Sequence, residues 1–171
     1  MGEAATIAPV LRRRFERVIE LDRGFADGGD ILILPDEILI GLSARTDAAG
    51  AERFVELAAR LERRARIVTT PPGVLHLKSA CSLVDGETVV ATPAMAVAGI
   101  FGGLDLVTVP GGEEAAANLV RVNDRLLVGA EHPRTAEMMD RRGLAVVPLE
   151  TTHIARIDAG LSCMSLRWRG G

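Results

Sequence analysis

Hydrophobic and polar positions along this chain alternate between helical and strand-like spacing in a repeating order. Over residues 5–15 the apolar side chains Ile7, Val10, Leu11 and Phe15 recur at helical spacing, with Arg12, Arg13 and Arg14 toward solvent, which predicts an amphipathic helix. A short strand is expected over 17–21. Two β-rich runs then follow, 31–34 and 38–40, on either side of a turn at Pro35-Asp36-Glu37. The helix expected over 51–64 lines up Phe54, Leu57, Ala58 and Leu61 on one face and sets Glu56 four residues before Arg60, and a strand over 66–70 closes the unit. The order then returns. A hairpin around Asp85-Gly86, a strong two-residue turn signal, joins runs 75–83 and 88–92, before a small-residue helix over 94–101 and a strand over 104–109. In the third copy Asn123-Asp124 joins runs 118–122 and 125–128, Pro133 opens a helix that Gly143 closes, and a strand spans 144–149.

The turn residues Asp36, Asp85 and Asn123 are separated by 49 and 38 positions, a spacing typical of supersecondary repeats. Three ββαβ units are therefore the expected organisation, and the competing expectation is an ordinary mixed α/β sheet in which the spacing is coincidental. Both ends read as halves of units: a helix and strand without a hairpin at the start, and a single strand-like segment, 160–168, at the close.

Composition narrows the classes. At 171 residues the chain suits a single domain, 1–171, and 48% apolar against 25% charged residues excludes an intrinsically disordered polymer. A net charge of −3, from 20 basic and 23 acidic side chains, has the wrong sign for a nucleic-acid binder that works by bulk charge. With 3% aromatic residues and no tyrosine there is also no base-stacking platform, so no nucleic-acid partner is expected. Two cysteines, Cys81 and Cys163, cannot build a disulfide framework, and a reducing cytoplasm is expected. Residues 1–8 show neither a basic nor an apolar signal region, and no apolar run approaches the ~20 residues that span a bilayer, so no membrane partner is expected.

Chemistry is concentrated in a few places. Cys163 lies among small residues at the entry to the last strand-like segment, where a thiol facing a cleft could be held as an attacking thiolate; a small buried hydrophobe is the alternative for a free cysteine. His76, in Val74-Leu-His-Leu-Lys78, is expected on a strand, sharing a face with Val74 and Lys78, as a general acid and base or as a hydrogen-bonded structural histidine. Asp27-Gly-Gly-Asp30 sets two carboxylates around paired glycines, an arrangement that can grip a planar cation or simply make a turn. His132 reads as a surface or capping residue and His153 is ambiguous. No metal-ligand spacing and no phosphate-cradling loop before a helix is found, so neither metal nor cofactor is expected.

Taken in order, Asp27-Gly-Gly-Asp30, Gly41-Leu-Ser-Ala-Arg-Thr46, Leu75-His-Leu-Lys78 and Asp158-Ala-Gly-Leu-Ser-Cys-Met-Ser-Leu166 resemble the dimethylargininases of the pentein, or guanidino-modifying, superfamily. The similarity extends to 118–123 and to His132-Pro-Arg-Thr135. The resemblance implies an α/β propeller of ββαβ units, here incomplete, with about three full units plus partial ends. It implies a small-molecule guanidino substrate: Cys163 as the nucleophile that displaces dimethylamine from N-methylated arginine and forms a covalent thiouronium, and His76 as the acid and base that completes hydrolysis to citrulline. By the same resemblance Asp27, with Asp30, contacts the guanidinium, Arg45 clasps the α-carboxylate, and Ile157 and Asp158 meet the amino-acid end. Lys78 stands where arginine deiminases carry Asp, which makes free arginine the lesser substrate. Arginine deiminase or another amidino-hydrolase, and a non-catalytic pentein-like fragment, are the alternatives. The first two units of the family pattern are not among these residues. A chain starting there is expected to be a fragment or to begin at an internal Met, and to be unstable, homo-oligomeric or completed by another chain through its open sheet edges.

Overall fold

The computed structural model describes residues 3–168. Helix α1 (Glu3–Arg14) places Arg12, Arg13 and Arg14 in its last turn, where cations complement the carbonyl end of the helix dipole. The strand expected over 17–21 does not form: among the described residues this segment pairs with no strand. Its apolar side chains Ile19 and Leu21 instead border a cleft with Ile38, Phe54 and Leu57, so tertiary packing uses its hydrophobicity without a ladder.

Three ββαβ units follow, each with its own three-stranded sheet in which a hairpin is extended by a parallel strand. In the first, β1 (Ile31–Ile33) runs antiparallel to β2 (Ile38–Leu42) with Ile31 opposite Ile40. After α2 (Ala48–Ala59), β3 (Ala65–Thr69) lies parallel to β2 from Ile38↔Ala65 to Leu42↔Thr69. Helix α2 begins earlier than 51 because the Asp47 carboxylate accepts the Gly50 N–H at 2.7 Å, and it stops well short of 64, with Glu62 in the left-handed region (φ 56°).

The second unit departs most from expectation. The run 75–83 is not one strand: a single helical turn, α3 (Leu77–Ala80), feeds directly into β4 (Cys81–Leu83). Leu77, Ala80 and Cys81 are all buried, a spacing of three and four that suits helix, whereas Leu75, which a strand would set on the same face as Leu77, is 45% exposed. The sheet continues with β5 (Thr88–Ala91), a short α4 (Pro93–Ala96) capped by Thr92, and β6 (Asp105–Thr108) parallel to β5. The helix expected over 94–101 is thus only one turn long. In the third unit β7 (Val120–Val122), β8 (Arg125–Gly129), α5 (Pro133–Arg141) and β9 (Ala145–Leu149) fall close to the expected positions, with Asn123 at φ 53° in the tight turn. A further turn of helix, α6 (Thr152–Ala155), was not anticipated. The strand-like reading of 160–168 is also corrected: residues 161–164 form turns and 165–168 pair with no strand.

Two apolar clusters join the sheets. One gathers Leu32, Leu39 and Val68 of the first sheet with Val89 and Ala91 of β5; the other gathers Val90 of β5 with Leu126 and Val128 of β8 and Met139 of α5. Alternate residues of β5 thus serve opposite cores, which is why every residue of Thr88–Ala91 is buried. The expected α/β architecture of consecutive ββαβ units, three of them complete, is the one observed.

Candidate active site

The centre of the site is the Asp30 carboxylate, fully buried at 0% exposure. It ends a single 3-10 turn, Gly28–Asp30, that the Asp27 side chain opens by accepting the Gly29 N–H at 2.7 Å. Four donors converge on it. Ser43 Oγ and Thr46 Oγ1 donate to Oδ2 at 2.6 and 2.7 Å, His76 Nδ1 lies 3.1 Å from the same oxygen, and the Leu77 N–H donates to Oδ1 at 3.0 Å. An ionised carboxylate only accepts, so Nδ1 carries the proton of His76 and Nε2 is left as its proton-exchanging atom. Asp30 therefore does for α3 what an N-cap would do, since His76 occupies the cap position without making a side-chain cap bond.

Two glycines make this closeness possible. A Cβ on Gly29 would lie 3.0 Å from His76 Cγ, and one on Gly41 would lie 3.1 Å from Leu77 Cβ and 3.2 Å from Thr70 Cγ2. Thr46, 1% exposed, also accepts the Asp27 N–H at 2.9 Å, so the 27–30 and 41–46 segments interlock through one hydroxyl. Ser43 and Thr46 carried no individual role in the sequence reading. Their only signal was their place within three residues of Arg45 in the motif that begins with Gly41.

Of the residues expected to bind substrate, Asp27 and Arg45 stand together. Asp27 is partly exposed, and its Oδ2 lies 3.9 Å from Arg45 Nη1. Arg45 itself is 66% exposed. Asp30 sits beneath His76 with its oxygens occupied, not at the surface with Asp27. Ile157, 70% exposed, and Asp158, at φ 54°, lie on the turn after α6 that leads toward the thiol.

Cys163 is exposed and free, and Asn118 Nδ2 donates to its sulfur across 3.9 Å. The other thiol, Cys81, is buried against Leu77, and burial pushes it up to about 12, too high to ionise near neutrality. Half-buried Lys78 links the two halves of the site. Burial first, and then Arg167, lower its pKa below the usual lysine range, while Cys163, Asp27 and Asp30 act in the opposite direction. The charge of one ammonium group is thus acted on by the C-terminal thiol and by both aspartates of the 27–30 turn. No cluster of three or more histidine, cysteine or acidic side chains suited to hold a metal is found among the described residues. No helix among them is long and apolar enough to cross a membrane.

Comparison with known proteins gives the family. A family model described as arginine deiminase matches residues 9–101. The N(G),N(G)-dimethylarginine dimethylaminohydrolase of Pseudomonas aeruginosa is 31% identical over 169 residues, covering 98% of this chain and 66% of that protein. The Streptomyces coelicolor enzyme of the same name is 36% identical over 149 residues, covering 85% of this chain and 55% of its own length. A solved structure of the Pseudomonas aeruginosa protein, a cysteine-to-serine variant complexed with citrulline, superposes with a TM-score of 0.91 at 32% identity, over 98% of this chain and 66% of that one. The chain spans about two thirds of the length of the first of these relatives and 55% of the second. By the family model, the identities and the superposition, this chain belongs to the arginine deiminase family of penteins and, within that superfamily, to the dimethylargininases.

Proposed function

We propose that this protein hydrolyses the guanidino group of dimethylarginine to citrulline and dimethylamine, with Cys163 as nucleophile and His76 as acid and base. The observation that carries the reading is the buried Asp30–His76 pair, which fixes the imidazole with Nε2 unbound, in a chain whose Cys163 thiol is free and exposed. Relatives named for this activity, and a solved relative holding citrulline, support it.

In this mechanism Asp27 Oδ2 takes an N–H of the flat substrate cation, Arg45 turns from Asp27 to the α-carboxylate, and Ile157 and Asp158 line the amino-acid end. A guanidinium is a weak electrophile because its charge is delocalised. Holding it in plane beside the sulfur replaces random encounter, and its positive charge favours thiolate over thiol. The Cys163 thiol passes its proton to His76 Nε2, sulfur attacks the central carbon, the bond to dimethylamine breaks, and Nε2 hands that proton to the leaving amine. The same nitrogen then takes a proton from water as water attacks the thiouronium carbon. The carbon–sulfur bond breaks, the thiolate returns and the ureido group of citrulline remains. Asp30 acts here by orienting His76 and not as a guanidinium contact. Two free thiols suit a reducing compartment, in keeping with a cytoplasmic enzyme.

The test is citrulline formation from dimethylarginine and from arginine. The expected result is product from dimethylarginine, reduced to background in Cys163→Ala. Activity surviving that substitution would exclude the proposed nucleophile. A folded protein that releases citrulline from neither substrate would identify a non-catalytic member of the family.

A further inference from the structure

We propose that Asn118 is a positioning residue for the Cys163 sulfur, acting through both ends of one side-chain amide. This rests on the reading above that Cys163 is the nucleophile. Asn118 follows a 3-10 turn, Glu114–Ala117, its own N–H bonded to Ala115 O at 3.2 Å, and that turn packs against α3, whose first residue follows His76. Leu119 and Val120, immediately after it, are buried at 2% exposure, so the amide is mounted on a fixed base. From there it reaches the segment carrying the thiol. Oδ1 accepts the Ser162 N–H at 3.0 Å and Nδ2 lies 3.9 Å from Cys163 Sγ.

The orientation of the amide is decided by chemistry. A backbone N–H can only donate, so the atom facing Ser162 must be oxygen, and the amino group is left to face the sulfur. Gly160 completes the fit: a Cβ there would lie 2.3 Å from Asn118 Nδ2 and 2.6 Å from its Cγ, so the chain passes the amide only as glycine. Elsewhere the segment is held by few ties, the Cys163 N–H to Gly160 O at 3.1 Å and Arg167 Nη1 to Arg121 O at 2.6 Å among them. A donor aimed at sulfur stabilises thiolate over thiol and fixes where its lone pair points. Asn118 therefore ties the C-terminal nucleophile to the same packed unit that carries His76.

The experiment compares the full chain with Asn118→Asp, Asn118→Ala, Gly160→Ala and the Asn118→Ala/Gly160→Ala double variant. Iodoacetamide alkylation of Cys163 is followed across pH by mass spectrometry, alongside citrulline kinetics. Asn118→Asp keeps the acceptor for Ser162 but replaces the donor with negative charge. The pH midpoint of Cys163 alkylation is expected to rise, and kcat to fall about 10–100-fold with KM little changed. Gly160→Ala is expected to impair the enzyme alone but to add little to Asn118→Ala, because the clashing amide is already gone. Should Asn118→Ala fail to fold, the near-isosteric Asn118→Asp still decides the matter. An Asn118→Asp alkylation profile that superimposes on the parent's, with kcat unchanged, overturns the proposal, as does full multiplication of the two single effects in the double variant. A parent protein that makes no citrulline would refute the functional reading alone, since alkylation reports on the amide–sulfur contact independently of turnover.

Discussion

Asp30 concentrates more consequence than any other side chain described, because four donors from two segments end on one buried carboxylate. Replacing it with Asn keeps the shape but leaves one acceptor oxygen where there were two, so the Leu77 N–H on one side and the hydroxyls and imidazole on the other cannot all be satisfied. The expected cost is about 1–3 kcal/mol of stability, read from urea unfolding, together with a loss of citrulline formation as His76 loses its orientation. Retention of full activity in Asp30→Asn would mean that the imidazole is positioned by something else. At this scale the sequence was partly legible. Asp27-Gly-Gly-Asp30 marked a place where backbones come close, and the glycines do admit the His76 ring. What could not be read was which of the two aspartates faces the cleft, because that depends on Ser43 and Thr46 arriving from a different loop.

Among the elements, α5 shows how a helix terminus is completed from a distance. Its cap residue, His132, makes no side-chain cap bond, so of the two roles open to it before Pro133 capping is not taken up. The buried Glu113 carboxylate supplies what is missing: it accepts the Thr135 N–H at 2.8 Å, the Thr135 hydroxyl at 2.7 Å and the Arg134 N–H at 3.2 Å. Burial alone would raise its pKa, but these bonds outweigh burial and hold it at about 2, below the usual 4.5. A carboxylate whose folded value is depressed stabilises the fold above its ordinary pKa and loses that contribution as pH falls toward the folded one. Unfolding midpoints should therefore drop between about pH 4.5 and 2, with Glu113→Gln less stable near neutrality and flatter across that acid range. An unchanged acid limb in the variant would remove Glu113 from this role. The same kind of distant contact explains the misread run 75–83. Leu75-His-Leu77 alternates as a strand does, and only Asp30 binding the Leu77 N–H turns it into a helical start.

On the scale of the whole molecule, stability comes from sheets stacked through two cores. Leu39 is 0% exposed in the core between the first and second sheets, so Leu39→Ala should cost about 2–5 kcal/mol, measured by chemical unfolding. A cost below about 1 kcal/mol would mean that the cavity collapses and that the cluster is not close-packed.

The sequence by itself determined the three ββαβ units, since hairpin turns and apolar periodicity are local properties: neighbours a few residues apart specify Asp85-Gly86, Asn123-Asp124 and the strands on either side. It also marked the His76 and Cys163 segments. Tertiary structure alone decided that 160–168 forms turns held by Asn118 and Arg121, that Asp30 lies beneath His76, and that one ammonium group feels both the thiol and the acidic cluster. Those outcomes depend on groups dozens of residues apart meeting in space. Their energies arise from buried hydrogen bonds and charges that no short stretch of chain contains.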